Sequence, residues 1–190
     1  MKINTTRFGE LEIDKSDMVS FKEGLLGFEN LRNFFVVDPG DQTLILWLQS
    51  SDQPSLAFPI IEPKIFKPEY TVQLVPSEMR SLGLENINDA VVYSILTIPQ
   101  VVTDMNANLK APIIINNKSK LGRQIVLQDS KLEVKFPMYM ELKKYIVSYN
   151  SDDTKRTNIT LGQEEPLSND QTEYIEVDVP LEQLSRSKEI

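Results

Sequence analysis

The chain contains no cysteine and no histidine in its 190 residues. The first absence excludes disulfides and thiolate metal sites, and the second removes the commonest general base and metal ligand. No apolar run approaches the length of a membrane span, and the N-terminal stretch MKINTTRFGE lacks the apolar core of a signal peptide, so a cytoplasmic protein is expected. Only carboxylates are left for acid–base chemistry, paired at 10/12, 14/17 and 164/165. Charged residues two apart on a strand share a face, and here that face is most simply solvent. No EF-hand spacing appears. The expectation is therefore no catalytic residue, no metal and no cofactor. An enzyme working through carboxylates alone would need a deep pocket with convergent acids.

What is present describes a folded domain with an unusual end. Hydrophobic residues make up 41% of the chain, enough for one sizeable core. Residues 1–150 hold 18 acids and 16 bases, net −2, whereas 151–190 hold 10 acids and 4 bases, net −6, which together give the total of −8. An acidic chain is a poor partner for nucleic acid or an anionic membrane but is steered toward a basic protein at short range. The basic loop from Lys118 to Arg123 is too small for a nucleic-acid footprint.

The patterning is that of short strands. Lys2 to Phe8, Leu11 to Ile13 and Met18 to Phe21 open the chain. In GLLGF, at 24–28, Gly24 and Gly27 suit positive φ or close backbone approach at a tight corner. Phe34 to Val37 ends at Asp38-Pro39-Gly40-Asp41, a turn. Thr43 to Gln49, apolar on both faces and carrying the single tryptophan Trp47, and Leu56 to Ile61 read as a central antiparallel hairpin. Thr71 to Val75 reads as a strand, followed by a short helix capped by Ser77 and ended by Gly83. Val91 to Ile98 is the strongest strand signal. Pro137 followed by good helix formers predicts a helix over about 138–147. Residues 151–171 have the composition of a linker, and YIEVDV at 174–179 alternates cleanly enough to add a strand to a sheet edge or a partner.

Two loops are apolar. In EPKIFKPEY, at 62–70, prolines bracket Ile65 and Phe66 and exclude both a helix and a central strand. Its apolar side chains either fold back onto the core or form a protein contact that loses little entropy on binding. After Pro99, Val101 and Val102 offer a second contact site. The candidate contact surface is thus Ile65, Phe66, Tyr70 and Thr71 from the first loop, with Ile98, Val101 and Val102 from the second.

The segment NANLKAPIIIN, at 106–116, changes character three times. Asn106 and Asn108 favour a bend, Pro112 excludes a helix, and Ile113 to Ile115 form a β-branched run suited to a strand buried on both faces, closed by Asn116 and Asn117. With the strand Gln124 to Leu127 that follows, it resembles the signature of the FliW flagellar assembly factors. TTRFG at 5–9, FKEGLLGFENL at 21–31 and PSLAFPIIEPKIFKPEY at 54–70 resemble that family in the matching order, so the likeness covers roughly residues 1–130. Asn106 departs from it, standing where family members usually carry threonine. Asn108, Ala111, Pro112 and Asn116 are read as fold determinants.

The expected fold is mostly β: a small antiparallel β-barrel-like domain, 1–150, with one or two short helices, followed by a polar acidic extension, 151–190. The resemblance implies a cytoplasmic protein that holds flagellin before export and also binds CsrA, a small basic RNA-binding translational repressor, relieving its repression of flagellin mRNA. It implies no direct nucleic acid, no membrane and no catalysis. The other open class is a generic β-barrel module binding peptides or sugars.

Overall fold

The computed structural model describes residues 1–40 and 43–150, the side chains of 147–150 excepted, and the strand pair Asn158–Ile159 with Val177–Asp178. The rest of the expected acidic extension, Glu164 and Glu165 included, lies outside the described residues.

Five strands form an antiparallel meander: β3 (Val19–Phe21), β4 (Asn33–Val37), β5 (Leu46–Ser50), β6 (Ala57–Ile61) and β7 (Ala90–Thr97). β9 (Ile113–Asn116) then pairs antiparallel with β7, with Val92 opposite Ile114. β10 (Leu121–Gln124) fits between β9 and β3, antiparallel to the first and parallel to the second. The result is a closed seven-stranded barrel. A separate hairpin of β1 (Lys2–Thr5) and β2 (Gly9–Glu12) precedes it, and β8 (Asn106–Ala107) and β11 (Phe136–Pro137) extend the far end of β7. α1 (Pro76–Ser81) and α2 (Tyr139–Asn150) are the two α-helices among the described residues.

Hydrophobic side chains fill two cores on either side of the barrel wall. Inside lie Val19, Phe21, Leu25, Phe34, Leu48, Ile60, Tyr93, Ile113 and Ile115. Outside, Ile61, Phe66, Tyr70, Leu82, Leu109, Ile114, Met138, Leu142 and Ile146 form a second cluster that fixes α2 and the long loops to the wall. Ile113, Ile114 and Ile115 are fully buried, alternating between these cores, as a strand buried on both faces requires. Each such side chain stabilises by about 1.5–3 kcal/mol. Trp47 points out of the barrel, where the Arg7 guanidinium lies 3.7 Å from its ring centroid and Phe8 meets it edge-on at 5.9 Å.

Three of the expected elements differ in ways that bear on the site. The strand expected at Gln124–Leu127 is Leu121–Gln124, because Gly122 sits flush on Phe21 and lets β10 approach β3; an added Cβ would meet the Phe21 ring at 2.5 Å. Thr71–Val75 pairs with no strand. The helix after it begins two residues earlier than expected, with Val75 and not Ser77 as cap and Pro76 in its first turn; the Val75 N–H donates to the Glu78 carboxylate at 2.9 Å. Gly24 and Gly27 do adopt positive φ, +71° and +82°.

Candidate functional site

The proline-bracketed loop is pinned from beneath. Pro63 opens a 3-10 turn, Pro63–Ile65, and Phe66 drops into the outer core, its ring stacked on Phe136 with centroids 6.0 Å apart. Tyr70 follows it inward, and its hydroxyl donates to the Leu109 carbonyl at 2.8 Å. Burial pushes the Tyr70 phenol up in pKa, so it stays protonated as a donor. Phe66 and Tyr70, each 3% exposed, are therefore core residues and not free contact residues, which corrects their place in the expected surface. Ile65 is half-buried against the same core, and Thr71 is exposed.

The second loop behaves differently. Ile98 and Val101, the latter 58% exposed, stand out beyond the end of β7. Val102 turns inward as the first residue of a 3-10 turn, Val102–Asp104, and packs against the outer core. Of the seven expected contact residues, Thr71, Ile98 and Val101 are openly exposed, and Ile65 and Val102 sit at the edge.

A groove that the sequence reading missed lies at the barrel end formed by GLLGF. Its volume is about 250 Å³, and it is bordered by Leu26, Phe28, Phe58, Ile95, Asn108 and Val134. Leu25 plugs the barrel from within while its neighbour Leu26 points out at 56% exposure, and Val134 opposite is 58% exposed. The Leu26 N–H donates to Gln124 Oε1 at 3.0 Å, and Phe28 packs edge-to-face on Phe58 at 5.1 Å. These contacts hold the outward leucine in place. The signal in the sequence was the Leu-Leu pair itself, since two consecutive apolar residues in a tight corner cannot both face the core.

A larger cleft of about 420 Å³ separates the 62–74 segment from the start of β7, with Thr71, Val72, Leu74, Ile87, Val92 and Ile114 in its lining. Neither space gathers acids. Glu10 pairs with Lys2 at 2.7 Å, Asp14 caps a 3-10 turn through the Ser16 N–H at 2.9 Å, and Asp17 lies 3.9 Å from Lys120. Among the described residues no group of three or more acids could hold a metal ion, and no helix is long and apolar enough to cross a membrane.

The motif asparagines build backbone. Asn108 Oδ1 accepts from the N–H groups of Lys110 and Ala111 at 3.1 and 3.0 Å. Buried Asn116 donates through Nδ2 to the carbonyls of Leu82 and Gly83, and its Oδ1 accepts from Lys118 and Ser119.

Among the described residues, the fold and its surface define a small closed-barrel protein with apolar grooves and with the paired carboxylates Glu10, Asp14 and Asp17 ion-paired or spent on capping. The FliW protein family model matches residues 2–138. The chain is 42% identical over 147 residues to the flagellar assembly factor FliW of Bdellovibrio bacteriovorus, covering 77% of this chain and 84% of that protein. It is 40% identical to the one from Caldanaerobacter subterraneus, covering 75% of this chain and 96% of the relative. A crystal structure of the flagellar assembly factor FliW superposes with a TM-score of 0.69 at 33% identity, over 73% of this chain and 97% of that one. This chain belongs to the FliW family of flagellar assembly factors.

Proposed function

We propose that this chain acts in the cytoplasm as a two-partner switch: it holds flagellin before export, and when free of flagellin it binds CsrA and lifts the repression of flagellin mRNA. No catalytic step is involved. The observation that carries the reading is the match to flagellar assembly factors over nearly their whole length. The surface is compatible with it, since Leu26, Ile98, Val101 and Val134 are large apolar side chains left in water, of the kind that anchors protein contacts.

Charge offers a route to antagonism. A body of net −2 with a −6 extension attracts a basic repressor and repels RNA phosphate beside it, so RNA binding weakens without the RNA surface being covered. Variants with reversed charge are then expected to relieve repression poorly even at CsrA concentrations that saturate them.

The test is a competition titration of the purified protein with CsrA and with flagellin of the same cell, followed by calorimetry and light scattering. Binding of both, with flagellin displacing CsrA, is the expected result. If neither binds at micromolar concentration, the switch is refuted and a generic barrel module for peptides or sugars is favoured.

A further inference from the structure

The corner at 24–28 holds an apolar side chain out in water by its own hydrogen bonds. The Phe28 N–H donates to the Leu25 carbonyl at 2.8 Å and closes the turn, while the Leu25 side chain goes into the barrel interior. Leu26 is thereby left outside, and its N–H is held by Gln124 Oε1 at 3.0 Å. Phe28 stands beside it on Phe58, and Val134 borders the same 250 Å³ groove. Exposed apolar residues scattered singly are ordinary, but Leu26, Phe28 and Val134 share one hollow. At 250 Å³ the hollow is below the range of about 300–1,000 Å³ typical of small-molecule sites, and what fits it is one bulky side chain.

The polar groups around this hollow are of one kind. None of the residues that border it is acidic. Its side-chain carbonyls are taken: Gln124 Oε1 accepts from the Leu26 N–H, and Asn108 Oδ1 accepts from the N–H groups of Lys110 and Ala111. Gln124 Nε2 is taken as well, donating to the Ala111 carbonyl at 3.0 Å. Two donors are left over, Asn108 Nδ2 and Lys135 Nζ, and neither has a partner among the described residues. They lie on neighbouring segments, since Asn108 follows Ala107 and Lys135 precedes Phe136, the facing pair of β8 and β11. The exposed Thr97 hydroxyl at the same groove can donate or accept. Glu29 and Glu133 are near in sequence but do not border the groove, and Glu29 is occupied by the Gly27 N–H at 2.9 Å.

On a chain of net charge −8, an unpaired ammonium and a free amide donor beside an apolar hollow run against the overall sign. Their complement is an apolar side chain with a carboxylate next to it. The first fills the hollow, and the second accepts from Asn108 Nδ2 and Lys135 Nζ. Because the turn and the Phe28–Phe58 contact are already set, little order is lost on docking.

We propose that this groove is the anchor site for an acidic–apolar segment of a partner protein, its bulky side chain seated among Leu26, Phe28 and Val134 and a neighbouring Asp or Glu carboxylate held by Lys135 and Asn108. The same donors disfavour a basic segment, so a basic partner docks on another part of the surface. The proposal rests on the reading of the exposed apolar residues as a protein contact and names the chemistry that this part of it takes. Its test uses neither flagellin nor CsrA, so its failure and that of the two-partner switch are told apart.

Amide NMR spectra of the full-length protein are followed during titration with three capped dipeptides: acetyl-Leu-Asp-amide, acetyl-Leu-Asn-amide and acetyl-Leu-Lys-amide. Saturable shifts are expected at the Leu26, Phe28 and Val134 amides at millimolar concentrations. The Asp peptide should bind about threefold more tightly than its uncharged isostere and about tenfold more tightly than the Lys peptide, and the preference should shrink in high salt. K135E, at an exposed position, should keep the folded spectrum and reverse the order, with the Lys peptide now tightest. L26S should weaken all three alike. No saturable shift at these amides with any peptide removes the anchor site. Equal binding of the three, or an order that survives K135E, removes its charge preference; either result overturns the proposal.

Discussion

Replacing Asn116 by alanine removes four hydrogen bonds from a buried site. Its Nδ2 donates to Leu82 O at 2.9 Å and Gly83 O at 3.0 Å, while Oδ1 accepts from Lys118 N at 2.9 Å and Ser119 N at 3.3 Å. The losses are not equal. The Leu82 carbonyl keeps a second donor, the Ser119 hydroxyl at 3.0 Å, and Lys118 is exposed so that water reaches its amide. Gly83 O and Ser119 N are left without these partners. Gly83 and Ser119 are exposed too, so water reaches these groups and the cost is that of the lost hydrogen bonds themselves: at about 0.5–1.5 kcal/mol each, N116A is expected to cost about 2–4 kcal/mol. With a urea dependence of about 2 kcal/mol per molar, the unfolding midpoint falls by about 1–2 M. Fluorescence of Trp47 and circular dichroism together follow the transition and check that it stays two-state. The companion N116D places a carboxylate against two carbonyls; it is equally damaging at neutral pH and recovers as acid protonates it and restores a donor. If N116A shifted the midpoint by less than about 0.3 M while abolishing partner binding, Asn116 would be a ligand and not a fold determinant.

Other outcomes follow from the same structure. Gly24→Ala should destabilise by about 3 kcal/mol, since it adds to the left-handed strain a Cβ that would meet the Glu29 Cα at 2.7 Å; Gly27→Ala, with nothing within 4 Å, should cost only about 1 kcal/mol in the same urea assay. Equal costs would refute the close approach. Burial raises the phenol pKa of Tyr70 and of Tyr93, the latter also through the Glu62 charge, so the folded state holds these protons more tightly than the unfolded chain does. Their contribution is full below the ordinary tyrosine pKa and is lost as pH rises toward the folded values; Y70F should flatten that alkaline limb, and an unchanged limb would contradict it. Finally, L26D/V134D should leave the unfolding free energy in urea within about 0.5 kcal/mol of the wild type yet weaken flagellin binding at least about tenfold by titration, and undiminished affinity would clear this groove of a role.

What the sequence disclosed was local. Pro112 and the isoleucine run announced a doubly buried strand because both signals act on their own residues, and the glycines of GLLGF did the same for a corner. The loop from 62 to 70 was ambiguous for a physical reason. Whether Phe66 is core or contact depends on Phe136, far along the chain, and Tyr70 depends on the Leu109 carbonyl; no window around the loop contains either. β10 was displaced by three residues for a similar cause. Lys118 to Arg123 looks like a polar loop until Phe21 supplies the ring that Gly122 lies against. The apolar Leu26 was hidden because its partner Leu25 satisfied the corner, and outward direction is set by the barrel mouth and by Gln124.

The parallel pairing of β3 with β10 joins Ser20 to Leu121 across about a hundred residues of chain. During synthesis the five-strand meander can form as it emerges, but its first edge, Val19 to Phe21, has no neighbour until residue 124 has cleared the ribosome. Closure is thus the step with the largest loop-closure cost, and non-local pairing of this kind folds slowly. For that interval the nascent chain is an open sheet with an apolar edge, the form most prone to pair with another copy of itself. The exposure ends when Gly122 meets the Phe21 ring, so a substitution at Gly122 would lower the yield of folded protein in the cell by prolonging the open state as well as by straining the finished barrel.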